Sequence, residues 1–453
     1  MTGPLDLAER AWGAAGADEA EALVMRERSG LARFAASRVH QPTLIENESV
    51  ILRVVRDGRT GSASTNRTDE DGLGRLARRA EQAADAAPVD PDFPGLAPRA
   101  EVPEVGGFDP ETASLSAGDQ SRIAWQAIEA AGETGAYGYF TSGESEVAVA
   151  SSAGQAVSQA MTDATIVALV AGQGISGWAE QTAWQAGDLD PEMVAQEAAA
   201  KARRTSDPGE VEPGMYRAVL EPYAFAELLT TFAGSSVNGL ALAEGRSYLS
   251  GRLGERVFHP DFTLVDDGLD PRGLPKAFDF EGTPKETVTI IDEGVARDVV
   301  WDRRSAALVD GGCRSTGHAL PAPAQGWGPY AANLCVRPGD ATLEELSQRV
   351  GDGIYVTRLH YLSVVDEREG IITGMTRDGT FRIEGGRVTR PLVNLRFSTS
   401  VPELLRALLG LTTSQRLVNT ADFYDERYPT ATLVPGVATG HFAVAGTGSG
   451  PGL

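Results

Sequence analysis

A short segment rich in turn-forming residues, 207–214, separates two parts of this chain that have different sequence patterns. It reads Asp-Pro-Gly-Glu-Val-Glu-Pro-Gly, and a residue that precedes proline is disfavoured in helix. Before it, helical patterns alternate with strand patterns. After it, short strand patterns dominate, separated by turn dipeptides such as Asp267-Gly268 and Gly385-Gly386. Because a chain of 453 residues is too long for one simple core, we expect a domain boundary in this segment.

The first part, residues 1–208, has the pattern of an α+β domain. Residues 5–29 place Ala, Leu and acidic residues at helical spacing, which predicts a first helix whose end leads into a strand. Strands are predicted at 31–39 and 50–56, the second ending at an Asp-Gly turn signal. Residues 87–110 contain six prolines and are therefore expected to form an extended connector.

The second part, residues 209–445, is predicted to be a β-rich sandwich or barrel. Its short strand patterns are separated by frequent turn signals, which is typical of those folds. Residues 446–453 read Gly-Thr-Gly-Ser-Gly-Pro-Gly-Leu and are expected to be a loose tail. The fold class that follows is α+β, with an N-terminal α+β domain and a β-rich C-terminal domain.

The charge of the chain disfavours two classes of partner. The net charge is −23 and the isoelectric point about 4.7, whereas binding to nucleic acid phosphates or to an anionic membrane requires clustered Lys and Arg. The N-terminus lacks the basic start and apolar run of a signal peptide. With two cysteines, a disulfide framework is not expected, and we expect a cytoplasmic protein with reduced thiols.

The residues that could hold a metal are few and scattered. The five histidines are His40, His259, His318, His360 and His441, and no two of them are three to five residues apart, so no helical ligand pair exists. Cys313 and His318 form the closest potential pair. This pair could be a metal or nucleophile site, or it could be a buried thiol in a glycine-rich turn near a solvent-facing histidine.

Two stretches of the second part resemble the TldD/PmbA family. They are EGRSYLSGRLGERV at 244–257 and VVDEREGIITGMTRDGTFRIEGGRVTRPLVNLRF at 364–397. The active branch of that family carries a helical His-Glu-x-x-x-His zinc motif shortly before the first stretch, and a third ligand, a cysteine, well downstream. Here residues 225–244 contain no His or Cys, and no cysteine follows Cys335. The resemblance therefore implies the metal-free, TldE/PmbA-like subunit, with neither metal ligands nor catalytic residues of its own.

That resemblance also implies a function. The family forms a two-subunit metallopeptidase in which an extended peptide enters a shared chamber and is cut at zinc held by the other subunit. This chain is then expected to be inactive alone, to pair with a zinc-bearing TldD-like sister, and to form a homodimer in isolation. Two alternatives remain open: a stand-alone amide hydrolase that uses Cys313 and His318, and a regulatory binding protein without a peptidase partner.

The stretch Thr376-Arg377-Asp378-Gly379 is the candidate substrate-binding site, and it has two interpretations. Asp-Gly is a strong signal for a two-residue hairpin turn, in which case Arg377 is a solvated flank of the turn. Alternatively, Arg377 projects into the shared chamber and binds a substrate carboxylate through two hydrogen bonds, with Asp378 beside it.

Overall fold

The structure is a computed structural model that describes residues 3–309, 313–421 and 427–448. In the described part the strands form two large sheets, one before residue 184 and one after residue 213. This confirms the predicted α+β class with a strand-rich second half. The division at residue 208 into two domains stays a prediction.

The first sheet is antiparallel and regular. Its strand order in the described residues is β3-β2-β1-β4-β5-β6, and helices pack on its faces. The strands are β1 (Glu19–Ala35), β2 (Arg38–Arg56), β3 (Arg59–Thr65), β4 (Ala136–Ser151), β5 (Ala156–Gly172) and β6 (Ile175–Ala183), and the helices are α1 (Pro4–Gly13), α2 (Glu70–Ala86), α3 (Pro110–Ala113), α4 (Ala117–Ala131) and α5 (Pro191–Arg203), with a 3₁₀ turn at Ala186–Asp188.

The prediction of one helix over residues 5–29 was wrong. The helix α1 ends at Gly13, and β1 begins at Glu19. Leu23, Val24 and Met25 are all buried, because one face of the sheet packs on α1 and α2 and the other on the second half of the chain. A strand buried on both faces loses the alternating pattern by which a strand is recognised.

The second sheet contains a closed ring. In the described residues β7 pairs with both β12 and β17, and the path β17-β15-β13-β12-β7 therefore returns to its start. The strands are β7 (Gly214–Leu220), β8 (Leu264–Asp266), β9 (Val288–Asp292), β10 (Val295–Ala296), β11 (Leu334–Val336), β12 (Gly353–Asp366), β13 (Ile371–Glu384), β14 (Arg387–Leu392), β15 (Leu395–Ser400), β16 (Leu408–Asn419) and β17 (Ala431–Thr447).

Short helices join and cover the strands of this second sheet. They are α6 (Pro222–Ser236), α7 (Gly239–Ala243), α8 (Arg303–Ala307), α9 (Leu343–Val350) and α10 (Val401–Arg406), with a 3₁₀ turn at Ala322–Trp327. The helix α6 packs against β12 and β17. Residues 446 and 447 of the predicted tail belong to β17, and residues 449–453 lie outside the described residues. No helix in the described part is both long and apolar enough for a transmembrane span.

Charged side chains join the two halves as well as apolar ones. Arg53 on β2 bonds Glu281, with 3.1 Å between Nη1 and Oε1, and Glu21, with 2.8 Å between Nη2 and Oε1. All three side chains are almost fully buried. Elsewhere Arg427 bonds Asp163 on β5. Since Glu281 and Arg427 belong to the second half, these ion pairs fix the first sheet against it.

Candidate functional site

The helix α6 lies where the family's zinc motif is expected, just before residues 244–257. Pro222 occupies its first turn, as the fixed φ of proline favours, and Ala, Leu and Phe make up half of the remaining residues. Glu227 is its only His, Cys, Asp or Glu residue. Since a zinc site needs three or four such donors that converge, the residues of this helix do not fit zinc. Among the described residues, no group of three or more His, Cys, Asp and Glu side chains could hold a metal ion.

A group of basic side chains lies on one face of the paired strands β12 and β13. Arg358 is directly opposite Arg377, and His360 is opposite Met375. Cross-strand partners share a face, as do residues two apart on one strand. Arg358, His360 and Arg377 therefore form a basic face, and like charges placed directly opposite destabilise a sheet unless an anion lies near.

Asp378 is an acidic residue that contacts both arginines of this face. Its Oδ2 lies 2.8 Å from Nη1 of Arg358, and its side chain is buried. The other carboxylate oxygen, Oδ1, has no hydrogen-bond partner among the described residues. Buried carboxylate oxygens are usually paired, so this position has spare hydrogen-bonding capacity.

The prediction that Asp378-Gly379 closes a hairpin was wrong, because both residues lie inside β13. Asp378 has φ of +56° and Gly379 has φ of +138°, and the pairing with β12 is irregular just beyond this position, between Val356 and Arg358. A Cβ atom at residue 379 would lie 2.8 Å from Oγ1 of Thr357, which explains the glycine. Asp378 and Gly379 have the positive φ values that a turn would require, but here these values occur next to an irregularity in the pairing of two strands.

Arg377 has the longer ion-pair contact of the two arginines on the basic face. Its side chain is 23% exposed, and its Nε lies 3.9 Å from Oδ2 of Asp378, its only ion-pair contact among the described residues. That distance exceeds a hydrogen bond. The guanidinium therefore retains donors that can form two parallel bonds with an incoming carboxylate.

Two neighbouring side chains respond to this cluster of charges. Burial, together with the charges of Arg377 and Arg358, lowers the pKa of His360 to about 4, so its imidazole is neutral near pH 7. Burial raises the pKa of Glu227 to about 7, while Arg358 lowers it and Asp378 raises it. Trp178 of β6 covers Arg358, whose Cζ lies 4.4 Å from the ring centroid, so the first sheet also contributes to the site.

Sequence reasoning selected Arg377 and Asp378 as candidates but did not select Arg358, His360 and Glu227, which lie beside them. The signal that was available is the spacing of Arg358 and His360, two apart in a strand pattern. That spacing becomes informative only with the register that places Arg358 opposite Arg377, and irregular pairing on both sides of residues 358–360 hides this register.

The Cys313 and His318 pair does not form a site. His318 is fully buried rather than solvent-facing, with Nδ1 at 2.9 Å from Oγ1 of Thr316 and Nε2 at 2.8 Å from Oδ1 of Asp266. Both ring nitrogens are thus engaged, and neither is available to take a proton from a thiol. In the described residues, Sγ of Cys313 lies 4.0 Å from the backbone oxygen of Arg314.

Comparison with known proteins identifies matching families in three stretches of the chain. Family models match residues 213–446 (PmbA/TldA metallopeptidase C-terminal domain), 20–84 (domain 1) and 107–205 (central domain). A metalloprotease of Methanothermobacter thermautotrophicus is 24% identical over 228 residues, which are 50% of this chain and 49% of that protein. A zinc metalloprotease TldD homolog of Saccharolobus solfataricus is 25% identical over 206 residues, 43% of each chain. The region of this chain that matches therefore spans less than half of the length of each of these curated relatives.

A solved structure shares the fold over nearly the whole chain. The crystal structure of TldE from Thermococcus kodakarensis superimposes with a TM-score of 0.84 at 20% identity, covering 97% of this chain and 99% of the other. At that identity the likeness shows the fold alone. The C-terminal family model, however, matches more than half of the chain. The chain therefore belongs to the PmbA/TldA metallopeptidase family, which is the TldD/PmbA family that its sequence resembles.

Proposed function

We propose that this chain is the metal-free, TldE/PmbA-like subunit of a two-subunit zinc metallopeptidase that cuts or trims extended peptides in a shared chamber. The observation that carries the proposal is the composition of α6, where the family's zinc motif is replaced by a helix with one carboxylate and no His or Cys. A zinc site needs at least three converging ligands. The sister subunit, a TldD-like chain, supplies them.

In this proposal the two subunits divide the work. Zinc in the sister subunit activates the water that attacks the amide bond. This chain supplies part of the chamber wall and binds the peptide. Extended peptides bind exposed strands through main-chain hydrogen bonds, a mode that tolerates many sequences.

The basic face on β12 and β13 is the proposed peptide-binding site. Arg377 holds a substrate carboxylate with its unsatisfied donors, and Asp378 fixes the neighbouring Arg358 by the 2.8 Å ion pair. A hydrogen bond to a charged group contributes about 1.5–3 kcal/mol. Holding one end of the peptide in this way orients it toward the zinc of the sister.

The proposal includes an assembly and a location. We expect a cytoplasmic heterodimer with the sister and a homodimer when the chain is alone. A stable interface buries roughly 1,200–2,000 Å² in total, and an obligate one buries more. Light scattering of the isolated chain and of the mixture with the sister measures both states, and a monomer in both samples contradicts this part of the proposal.

Metal analysis and peptide cleavage test the proposal together. The isolated chain, purified without chelator, should contain no stoichiometric zinc and cleave no peptide. The complex with a zinc-bearing homologue from the same host should contain zinc and cleave unfolded peptides. One tightly held zinc per isolated chain, or turnover by the isolated chain, contradicts the proposal and favours an independent hydrolase. Failure to bind any such homologue favours a regulatory binding protein.

A further inference from the structure

Two arginines compete for one carboxylate oxygen at the basic face. Oδ2 of Asp378 accepts from Arg358 at 2.8 Å and lies 3.9 Å from Nε of Arg377. One short bond and one long contact to the same atom indicate that Asp378 pairs with Arg358 and leaves Arg377 free. Any charge that draws Arg358 away from Asp378 would let Arg377 take its place.

Glu227 is placed to exert that effect. It lies on α6, the helix that packs on β12, and its charge interacts with both Arg358 and Asp378. Its Oε2 is buried and has no hydrogen-bond partner among the described residues, as is also true of Nε of Arg358. A carboxyl group with one buried oxygen that no donor reaches is costly to ionise. The unpaired Nε of Arg358 is a donor that an ionised Glu227 would attract.

We propose that Glu227 is a positioning residue of the Arg377 subsite, and that its protonation strengthens the binding of a peptide carboxylate there. The proposal rests on the proposed function of Arg377. With Glu227 protonated, Arg358 stays on Asp378 and Arg377 is free. With Glu227 ionised, Arg358 is shared, Asp378 attracts Arg377, and the extra negative charge repels the incoming carboxylate. Both the pairing of Arg377 with Asp378 and this repulsion weaken the binding of the peptide carboxylate when Glu227 is ionised.

Other titratable groups near Glu227 set the useful pH range. Burial raises the pKa of Glu180, on β6, to about 8, so it changes charge above the range in which Glu227 does. The imidazole of His360 stays neutral above about pH 5 because its pKa is about 4. Arg358, Arg377 and Arg416 remain charged throughout. Between about pH 6 and pH 7.5, Glu227 is therefore the group of this cluster whose charge changes most.

The substrate class that follows is peptides that present a carboxylate, at the C-terminus or on an acidic side chain. The probe is a fluorescently labelled alanine peptide with a free C-terminal carboxylate, compared with the same peptide as its C-terminal amide. Fluorescence anisotropy with the isolated full chain gives the dissociation constants. For the wild type we expect the carboxylate peptide to bind about three- to fourfold more tightly at about pH 6 than at about pH 7.5, which is the largest change that one group with a pKa of about 7 allows over that range. The amide peptide should show no such change.

Variants separate the role of Glu227 from that of Arg377. Glu227→Gln should bind the carboxylate peptide tightly at both pH values, whereas Glu129→Gln, on an exposed face of α4, should behave like the wild type. If Glu227→Gln keeps the wild-type pH dependence, the role of Glu227 is overturned. If Arg377→Ala binds as tightly as the wild type, the proposed carboxylate site itself fails, whatever Glu227 does.

A second measurement needs no variant at residue 227. Coupling between two sites is reciprocal, so a bound carboxylate must raise the pKa of Glu227. An NMR titration of the carboxyl carbon of Glu227 should show its midpoint move to higher pH when the carboxylate peptide is added and stay unchanged with the amide peptide. An unmoved midpoint in the presence of saturating carboxylate peptide overturns the inference.

Discussion

Two arginine clusters in this protein use the same residue types in opposite ways. Arg53 is 3% exposed and bonds Glu21, Glu281 and Gln325 across the junction of the two halves. Arg377 is 23% exposed, and its only ion-pair contact in the described residues is 3.9 Å long. The first group, Arg53 with Glu21 and Glu281, is the sealed cluster: it is buried, its acids lie on both halves of the chain, and it stabilises the fold. The second group, Arg377 with Arg358 and Asp378, is the open cluster: Arg377 is partly exposed with unused donors, so it is available for a ligand and stabilises the fold little.

The largest expected effect is at the sealed cluster. Arg53→Ala removes the cation from the buried pair with Glu281 and a hydrogen-bond donor from the carboxyl of Glu21, and breaking a buried pair in this way costs about 3–5 kcal/mol. Urea denaturation measures the loss. The matched control is Arg56→Ala on the same strand, since its pair with Asp85 is solvent-exposed and is worth about 0–1 kcal/mol. Equal losses in the two variants would show that the buried pairs do not hold the halves together.

The next effect is at the open cluster, and it should appear in binding rather than in stability. Arg377→Ala should weaken binding of the carboxylate peptide roughly 10- to 100-fold, because one charge-assisted pair is lost. The free energy of unfolding should change by no more than about 0.5 kcal/mol. The control is Arg387→Ala, an exposed arginine on the adjacent strand β14. If the Arg377 variant binds the peptide as tightly as the wild type, Arg377 has no role in binding and is only a solvated residue of β13.

A smaller effect concerns the pH dependence of stability at the sealed cluster. Burial, opposed by Arg53, raises the pKa of Glu21 to about 8 from 4.5. The folded state therefore keeps a proton that the unfolded state releases, and the free energy of unfolding falls as pH rises between those values. Glu180, Glu227 and Asp279, whose pKa values are also raised, add to this fall.

Glu21→Gln removes one of these contributions. The decrease in the free energy of unfolding between about pH 5 and pH 7 should become smaller by on the order of 1 kcal/mol. The range stops at 7 because burial lowers the pKa of Lys276 to about 7, and its contribution has the opposite sign at higher pH. Denaturation curves at both pH values measure the change, and an equal decrease in variant and wild type contradicts it.

The two clusters also differ in how much of each could be predicted from the sequence. The class of the fold and the family followed from turn signals and from two stretches of residues. The sealed cluster could not be predicted, because Glu21 and Glu281 are 260 residues apart and meet only through tertiary packing. At the open cluster, Arg377 was found because it lies in a family stretch. Its partners were missed because irregular pairing sets the register of β12 against β13, and a local pattern does not contain that register.

The smallest expected effect is at Cys313, where the sequence left a hydrolase open. A nucleophilic cysteine needs a depressed pKa and a base within reach. Burial and the charge of Asp298 instead raise the pKa of the Cys313 thiol, and His318 has both nitrogens bonded to Thr316 and Asp266. Cys313→Ala should therefore change the free energy of unfolding by less than about 0.5 kcal/mol, as at most surface positions, and leave peptide cleavage by the complex unaltered. His318→Ala, by contrast, should destabilise the fold, because it leaves the buried carboxylate of Asp266 without its partner. A loss of cleavage in the cysteine variant, with stability unchanged, would restore the thiol as a reactive group and show that the open arginine cluster is not the only functional site of this chain.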